Sequence, residues 1–195
     1  MRASDSPSPA SGDALLVVDV QRDFLPGGAL GVPEGDAVVP VINRWIERFR
    51  ACELPVFASR DWHPADHCSF AARGGPWPPH CVADTPGADF CADLSLPPEV
   101  EVISKARESD KDAYSAFSGT DLARRLADLA VKRLFVGGLA TDYCVRASVL
   151  DALRAGFDVV LLVDAVRAVN ANPGDGAEAL EEMRAAGARI LREPN

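Results

Sequence analysis

The stretch "RLFVGGLATDYCV", residues 133–145, runs from an apolar segment through two glycines into a short turn that holds Cys144. An apolar run followed by the helical pattern "DYCVRASVLDALRAG" predicts a buried strand that leads directly into a helix. Cys144 would lie in the first helical turn, where unpaired N–H groups and the helix dipole lower the pKa of a thiol. Gly137 and Gly138 would let the backbone approach a ligand, and nearby N–H groups could bind an oxyanion. The alternative is a buried structural cysteine, since free cysteine is among the most buried residue types.

Five more apolar runs along the chain have the length and composition of strands. They are "ALLVV" (14–18), "LPVFAS" (54–59), "EVIS" (101–104), "FDVVLLV" (157–163) and "ARILR" (188–192). Segments with helical periodicity lie between most of them, and this alternation is typical of parallel strands joined by crossover helices. The sequence therefore predicts an α/β fold with six strands, interrupted by a long irregular segment at residues 60–98.

The bulk composition limits the number of domains and the kinds of partner. A chain of 195 residues with 48% hydrophobic composition is long enough for one buried core. Its formal net charge of -9 would repel nucleic acid and anionic membrane surfaces, so neither is expected as a partner. We expect one domain over residues 14–195, preceded by a flexible, solvated tail at residues 1–13 that contains Ser, Pro and Gly.

The sequence also predicts where the protein resides. The first residues contain no apolar core of a signal peptide, and no apolar run approaches the roughly 18 residues of a membrane span. Five cysteines, an odd number, fit free thiols in a reducing cytosol better than a disulfide framework. The expectation is a cytoplasmic protein in which the remaining cysteines are structural or incidental, namely Cys52, Cys68, Cys81 and Cys91.

Two charged residues end predicted strands at the edge where a parallel sheet binds its ligands. Asp19, in "VVDVQRDF", follows the first strand, and Lys105, in "ISKARES", follows the third. The carboxyl ends of parallel strands line the ligand crevice, so Asp19 is a candidate site residue. An aspartate that merely caps a loop is an equally good explanation. Lys105 alone would be a solvated lysine, whereas beside a carboxylate and a thiol it would keep the acid ionised and favour a thiolate.

All three histidines of the chain lie in the irregular segment. Asp61, His63 and His67 fall within seven positions of "RDWHPADHCSF", and His80, in "WPPHCV", could add a third imidazole. A carboxylate with imidazoles suits a divalent ion that keeps positions open for water or substrate. The alternatives are solvated histidines without a metal, or a structural Cys/His zinc site, whose usual spacing is not matched here. If the histidines bind metal, none is left to activate Cys144, and the base would have to be a carboxylate.

Together these motifs resemble the nicotinamidase/pyrazinamidase branch of the isochorismatase-like cysteine hydrolases. The resemblance runs from about Ala14 to Leu191 and rests on "VVDVQRDF", "RDWHPADH", "WPPHCV", Lys105 and "GLATDYCV". It implies a three-layer α/β/α fold with a six-stranded parallel sheet of order 3-2-1-4-5-6. In that order the first and fourth strands are neighbours, so Asp19 and Cys144 would meet at the topological switch point.

The same resemblance implies a role for each candidate residue. The catalytic residues would be Asp19, Lys105 and Cys144, and the N–H groups of Ala140 and Cys144 would form the oxyanion hole. A cis peptide is implied between Leu139 and Ala140. One divalent metal ion, which could be zinc, iron or manganese, would be bound by Asp61, His63, His67 and His80. The candidates for packing against the substrate ring are Phe24 and Trp77.

The implied reaction is the hydrolysis of nicotinamide to nicotinate and ammonia through a cysteine thioester. Pyrazinamide would be a second small-molecule substrate, and the reaction would serve NAD salvage. The sequence does not decide between a monomer and a homo-oligomer. One rival is another amide hydrolase of the same superfamily, which need not contain the aspartate and three histidines. A rival of another class is a zinc-binding interaction module built from residues 60–91, which would lose its fold on chelation.

Overall fold

The computed structural model describes residues 8–193, and within them it contains a single sheet of six strands. The strands are β1 (Asp13–Val18), β2 (Val56–Asp61), β3 (Glu101–Lys105), β4 (Arg133–Leu139), β5 (Asp158–Arg167) and β6 (Arg189–Leu191). All neighbours pair in parallel, in the order β3-β2-β1-β4-β5-β6. The predicted fold class and strand order are thereby confirmed.

The centre of the sheet is the pair β1 and β4, where the strand order reverses. Val18, the last residue of β1, pairs with Ser59 of β2 on one side and with Gly138 of β4 on the other. A parallel sheet opens a crevice beyond the carboxyl ends of its strands at such a switch point. The residues that follow β1 and β4 are therefore brought to one edge of the sheet.

Four helices cover the two faces of the sheet and complete the three layers. They are α1 (Val38–Ala51), α2 (Leu122–Asp128), α3 (Arg146–Arg154) and α4 (Asp175–Ala185). Leu15 and Val17 point into the core shared with α1, whereas Leu16 and Val18 point into the core shared with the other three helices. Because β1 is buried on both faces, its sequence is apolar without alternation, as is typical of a central parallel strand.

Gly138 is required by the close approach of two strands. It has a φ of 129°, and a Cβ atom there would lie 2.0 Å from the Val18 carbonyl oxygen. A Cβ on Gly137 would lie 3.0 Å from the Cβ of Ala165. Strand packing therefore accounts for both glycines, because protein atoms of β1 and β5 occupy the space beside them, and the approach of a ligand to this backbone stays a prediction.

The connection from β2 to β3, residues 62–100, has short 3-10 turns but no α-helix along its whole length, all of which the structure describes. Side chains tie it to the rest of the fold. Asn43 of α1 donates a hydrogen bond to the Asp93 carbonyl and accepts one from the Ser95 N–H. His63 forms an isolated bridge with Val82 inside the connection.

The amino-terminal part of the chain is only partly described. Residues 1–7 of the predicted tail lie outside the described residues. Asp13, which the prediction assigns to the tail, is the first residue of β1, is buried, and forms an ion pair with Arg133. Over residues 8–193, no helix is both long enough and apolar enough to cross a membrane.

Candidate active site

Asp19, Lys105 and Cys144 meet at the carboxyl edge of the central strands. The Lys105 Nζ atom lies 2.9 Å from Asp19 Oδ2 and 3.5 Å from Cys144 Sγ. A carboxylate oxygen of Asp19 and the sulfur of Cys144 lie within 4.8 Å of each other. A carboxylate, an ammonium group and a thiol therefore share one buried site.

Strand pairing explains how Lys105 reaches this site from β3. Lys105 pairs with Asp61 across the β2–β3 ladder, and its side chain is almost fully buried. Its Nζ donates to Asp61 Oδ1 at 2.5 Å and to the Ala113 carbonyl at 3.2 Å, in addition to its ion pair with Asp19. Burial lowers the pKa of Lys105, but the Asp19 and Asp61 carboxylates outweigh it and raise the pKa well above its usual value. Lys105 is therefore a permanent cation between two acids.

Asp19 is the completely buried carboxyl group of the site. Its backbone N–H donates to the Ser59 carbonyl, and the Ser59 hydroxyl donates to Asp19 Oδ1 at 2.6 Å. Burial raises the pKa of Asp19, although Lys105 and Ser59 both act to lower it. Lys105 thus favours the ionised acid as expected, but desolvation is the larger effect. Asp19 is consequently a stronger base than an exposed aspartate, which suits a group that accepts a proton.

Cys144 lies in a π-helical turn, Thr141–Val145, that leads into α3. Its side chain is 6% exposed and lines a pocket. Burial raises the pKa of the Cys144 thiol well above its usual value, although Lys105 lowers it. The predicted lowering of this pKa by the helix terminus is wrong, because desolvation dominates. A thiol in this state needs a neighbouring base to become a nucleophile, and Asp19 is the base within reach.

The backbone before Cys144 has the predicted conformation. The peptide bond between Leu139 and Ala140 is cis, as the resemblance implies. The Ala140 carbonyl accepts hydrogen bonds from the N–H groups of Tyr143 and Val145, which closes the turn. Ala140 and Cys144 both line the pocket, as an oxyanion hole at these residues requires. Their role in oxyanion binding stays a prediction.

Asp61, His63 and His80 form a second buried cluster beside the first. One ligand-type atom from each lies within 4.8 Å of the others. The Nδ1 atom of His63 donates to the Ala106 carbonyl at 3.2 Å, and that of His80 donates to the Pro78 carbonyl at 2.8 Å. These bonds place the ring proton on Nδ1 and leave Nε2 of each imidazole as a lone-pair donor.

This cluster fits a divalent metal ion. His63 Nε2 is buried without a hydrogen-bond partner, and Asp61 Oδ2 lies 3.6 Å from it. A buried lone pair without a hydrogen-bond donor is explained if it binds a cation. A carboxylate with two imidazoles would leave coordination positions of that cation open for water or substrate. Burial opposes ionisation of Asp61, but Lys105 and His63 outweigh burial and lower the Asp61 pKa. The acid is therefore negatively charged and able to bind a metal.

His67 differs from the arrangement that the resemblance implies. Its ring lies 4.2 Å from the His63 ring, but both of its nitrogens are already in hydrogen bonds. Nδ1 accepts from the Ser69 hydroxyl at 2.7 Å, and Nε2 donates to the Lys111 carbonyl at 3.1 Å. The structure brings together three of the four predicted ligands and gives His67 no free lone pair.

Both clusters open into one pocket with a volume of about 490 Å³, including its mouth. The predicted ring-packing residues Phe24 and Trp77 lie in its wall. Two aromatic residues that the sequence analysis missed lie there as well. Trp77 Nε1 donates to the Tyr114 hydroxyl at 3.0 Å, and its ring packs edge-on against Tyr143 at 5.3 Å. Tyr143 adjoins Cys144 and could have been proposed from the sequence, whereas nothing in the sequence around Tyr114 indicated the pocket.

The other four cysteines lie outside the cluster of Asp19, Lys105 and Cys144. They are free thiols, as predicted for a chain without disulfides. Cys81 is buried, and burial raises the pKa of its thiol, so it is unreactive in this state. Cys52 is exposed at the end of α1.

Comparison with known proteins places the chain among its relatives. Residues 13–193 match the isochorismatase domain family. A nicotinamidase of Escherichia coli (strain K12) is 43% identical over 198 residues, with coverage of 91% of this chain and 93% of the relative. The pyrazinamidase of Pyrococcus horikoshii in complex with zinc is 53% identical with a TM-score of 0.90, over 93% of this chain and 99% of that chain. PnC1 from L. infantum, in complex with nicotinate, is 39% identical with a TM-score of 0.86, over 93% of each chain.

Proposed function

The chain belongs to the isochorismatase family and, within it, to the nicotinamidases, and we propose that it hydrolyses nicotinamide to nicotinate and ammonia. The observation that carries this proposal is one pocket that is lined both by Cys144, which has Asp19 and Lys105 beside it, and by the group of Asp61, His63 and His80. A relative crystallised with nicotinate, the proposed product, supports the same substrate. Pyrazinamide carries the same carboxamide on a related ring and is the expected second substrate.

The first half of the reaction forms a thioester. Asp19 accepts the thiol proton of Cys144, and the sulfur attacks the carbonyl carbon of the carboxamide. The N–H groups of Ala140 and Cys144 would stabilise the negative charge that develops on the carbonyl oxygen. Asp19 then donates its proton to the amide nitrogen, the C–N bond breaks, and ammonia leaves.

The second half releases the acid. A water molecule loses a proton to Asp19 and attacks the thioester carbon, and the C–S bond breaks. The proton on Asp19 returns to the sulfur, which restores the resting thiol. Lys105 stays protonated throughout and stabilises whichever of Asp19 and Cys144 is negatively charged, since it contacts both.

A divalent metal would be held by Asp61, His63 and His80, and the donor set accepts zinc, iron or manganese. When bound, the metal ion would act as a Lewis acid toward the ring nitrogen of the substrate and so help to orient the ring. Phe24 and Trp77 would pack against that ring and keep its carboxamide near Cys144.

Each rival function leaves some residues of the site without a role. An amide hydrolase with a different substrate would need Asp19, Lys105 and Cys144, but it would not need a buried, unpaired His63 nitrogen facing the same pocket. A zinc-binding interaction module would not need a fully buried Lys105 beside a buried thiol. The proposed product would feed NAD synthesis, which makes salvage of nicotinamide the proposed physiological role.

The test is to restore Zn²⁺ to purified protein and measure ammonia and nicotinate produced from nicotinamide. Benzamide, which has the same shape without the ring nitrogen, is the matched control substrate. We expect turnover of nicotinamide and pyrazinamide and much slower turnover of benzamide. A folded, zinc-loaded protein that forms no nicotinate would exclude the proposed substrate, and equal rates on benzamide would exclude orientation through the ring nitrogen.

A further inference from the structure

Gln21 is a buried polar residue to which the mechanism above assigns no role. It lies two residues after Asp19, has no exposed surface, and is the only glutamine in the chain. Its backbone N–H donates to the Asp19 carbonyl, so it belongs to the turn that ends β1. A carboxamide buried this deeply must have partners for its two donor hydrogens and its acceptor oxygen.

The partners of this carboxamide are backbone groups next to the candidate metal cluster. Gln21 Oε1 accepts from the Asp61 N–H at 2.8 Å, and Nε2 donates back to the Asp61 carbonyl at 2.8 Å. The second hydrogen of Nε2 goes to the Ala88 carbonyl at 2.9 Å. The side chain thus holds both backbone polar groups of one residue and also ties that residue to the β2–β3 connection.

The position of Asp61 in the sheet shows why such a clamp is needed. On the β3 side, Asp61 pairs with Lys105. On the β1 side, the ladder ends at the pair Val18 and Ser59, because the chain turns away at Asp19, which has a φ of 49°. The Gln21 carboxamide takes the place of the missing strand beside Asp61 and supplies the hydrogen bonds that a strand would make.

We propose that Gln21 is a positioning residue that fixes the backbone of Asp61, and through it the direction of the Asp61 carboxylate toward the metal and Lys105. The same clamp sets the distance between Asp61 and the turn that carries Asp19, so it couples the two clusters. The expected effect of Gln21 on zinc binding depends only on the metal cluster, whereas the expected effect of Gln21 on turnover rests on the proposed function.

The experiment compares full-length Gln21→Leu and Gln21→Glu with Asn43→Leu. The leucine variant has similar bulk without hydrogen bonds, and the glutamate variant loses both donors and places negative charge against two carbonyls. Asn43 is the matched control because its carboxamide also bridges backbone groups of the β2–β3 connection, at Asp93 and Ser95 rather than at a metal ligand. The readouts are the Zn²⁺ dissociation constant of metal-stripped protein by chelator competition, kcat and KM for nicotinamide, and thermal unfolding.

We expect both Gln21 variants to bind Zn²⁺ about 10- to 100-fold more weakly, as is typical when an outer partner of a metal ligand is removed. Saturating Zn²⁺ should restore part of kcat, and Asn43→Leu should retain wild-type zinc affinity even if it melts earlier. Zinc affinity within twofold of wild type in both Gln21 variants, or an equal loss in Asn43→Leu, would overturn the proposal. So would failure of both Gln21 variants to fold, because a positioning role requires a folded protein. If the wild type binds Zn²⁺ but does not hydrolyse nicotinamide, the substrate proposal fails while the zinc measurements still decide the role of Gln21.

Discussion

The two walls of the pocket are held in place by different kinds of structure. The sheet wall is Cys144 together with the buried Asp19 and Lys105 beside it, and these residues lie at or just after the carboxyl ends of strands whose pairing determines their positions. The loop wall consists of His63, His80 and Trp77, which lie in the connection from β2 to β3. There, single hydrogen bonds replace the strand ladder, such as those from each histidine Nδ1 to a backbone carbonyl.

The difference between the two walls separates the residues proposed to transfer protons from those proposed to orient the substrate. Burial in the sheet wall raises the pKa values of both Asp19 and Cys144, and Lys105, which contacts both groups, stabilises their ionised forms. The loop wall holds lone pairs and aromatic rings instead, which can orient a ligand without exchanging protons. Changes in the sheet wall should therefore abolish the reaction, whereas changes in the loop wall should weaken binding in graded steps.

The largest expected effect is that of Cys144→Ala, which removes the proposed nucleophile from the sheet wall. Turnover of nicotinamide should fall by about 10³-fold or more, as for other residues that act within a catalytic unit. Cys52→Ala, at an exposed cysteine, is the control and should leave kcat/KM unchanged. Ammonia release and thermal unfolding measured together would show whether activity is lost without the fold. Near-normal turnover in a folded Cys144→Ala protein would contradict the mechanism.

The next effect is loss of metal from the loop wall in His80→Ala. Removing this proposed ligand should weaken Zn²⁺ binding by more than about 100-fold, beyond the usual effect of an outer partner. His67→Ala is the informative comparison, because both nitrogens of His67 are bonded to Ser69 and Lys111 in this structure. We expect it to reduce zinc affinity far less. Equal losses in the two variants, measured by elemental analysis after dialysis, would instead make His67 a ligand.

A smaller effect is the pH dependence of kcat/KM with saturating Zn²⁺. Asp19 must be ionised to accept the thiol proton, so the rate should fall about tenfold per pH unit once the pH drops below the Asp19 pKa. Because burial raises that pKa above 3.8, the fall should begin at a higher pH than for an exposed aspartate. Ser59→Ala should move it higher still, since the Ser59 hydroxyl lowers the Asp19 pKa. If kcat/KM of Ser59→Ala fell over the same acidic pH range as that of the wild type, Asp19 would not be the base.

The smallest effect should come from Trp77→Phe, which keeps an aromatic ring in the loop wall and removes the hydrogen bond to Tyr114. We expect KM to rise about 2- to 10-fold, the value of one neutral hydrogen bond, with kcat nearly unchanged. Tyr114→Phe removes the same bond from its other end, so the double variant should be no worse than either single one. Steady-state kinetics on the three proteins would test this, and additive losses would show that the two residues act separately.

Several features of the site could be predicted because they depend on short segments of sequence. Apolar runs that end in Asp19 or Lys105 indicated parallel strands and the edge where their polar ends meet. Three histidines gathered in one irregular segment indicated a metal. No local pattern indicated the contacts of Tyr114 and Gln21, because their hydrogen-bond partners Trp77 and Asp61 lie 37 and 40 residues away in the chain.

By itself, the sequence determined the α/β class, the six strands and the identity of the chemical groups at their ends, because periodicity and residue type are local properties. Only the tertiary structure decided the protonation behaviour of Cys144, where burial raises the thiol pKa more than the nearby Lys105 lowers it. It also placed both ring nitrogens of His67 in hydrogen bonds, whereas Asp61, His63 and His80 form one group of ligand-type atoms. Burial and hydrogen-bond partners come from distant segments that fold against the site, and no local pattern specifies them.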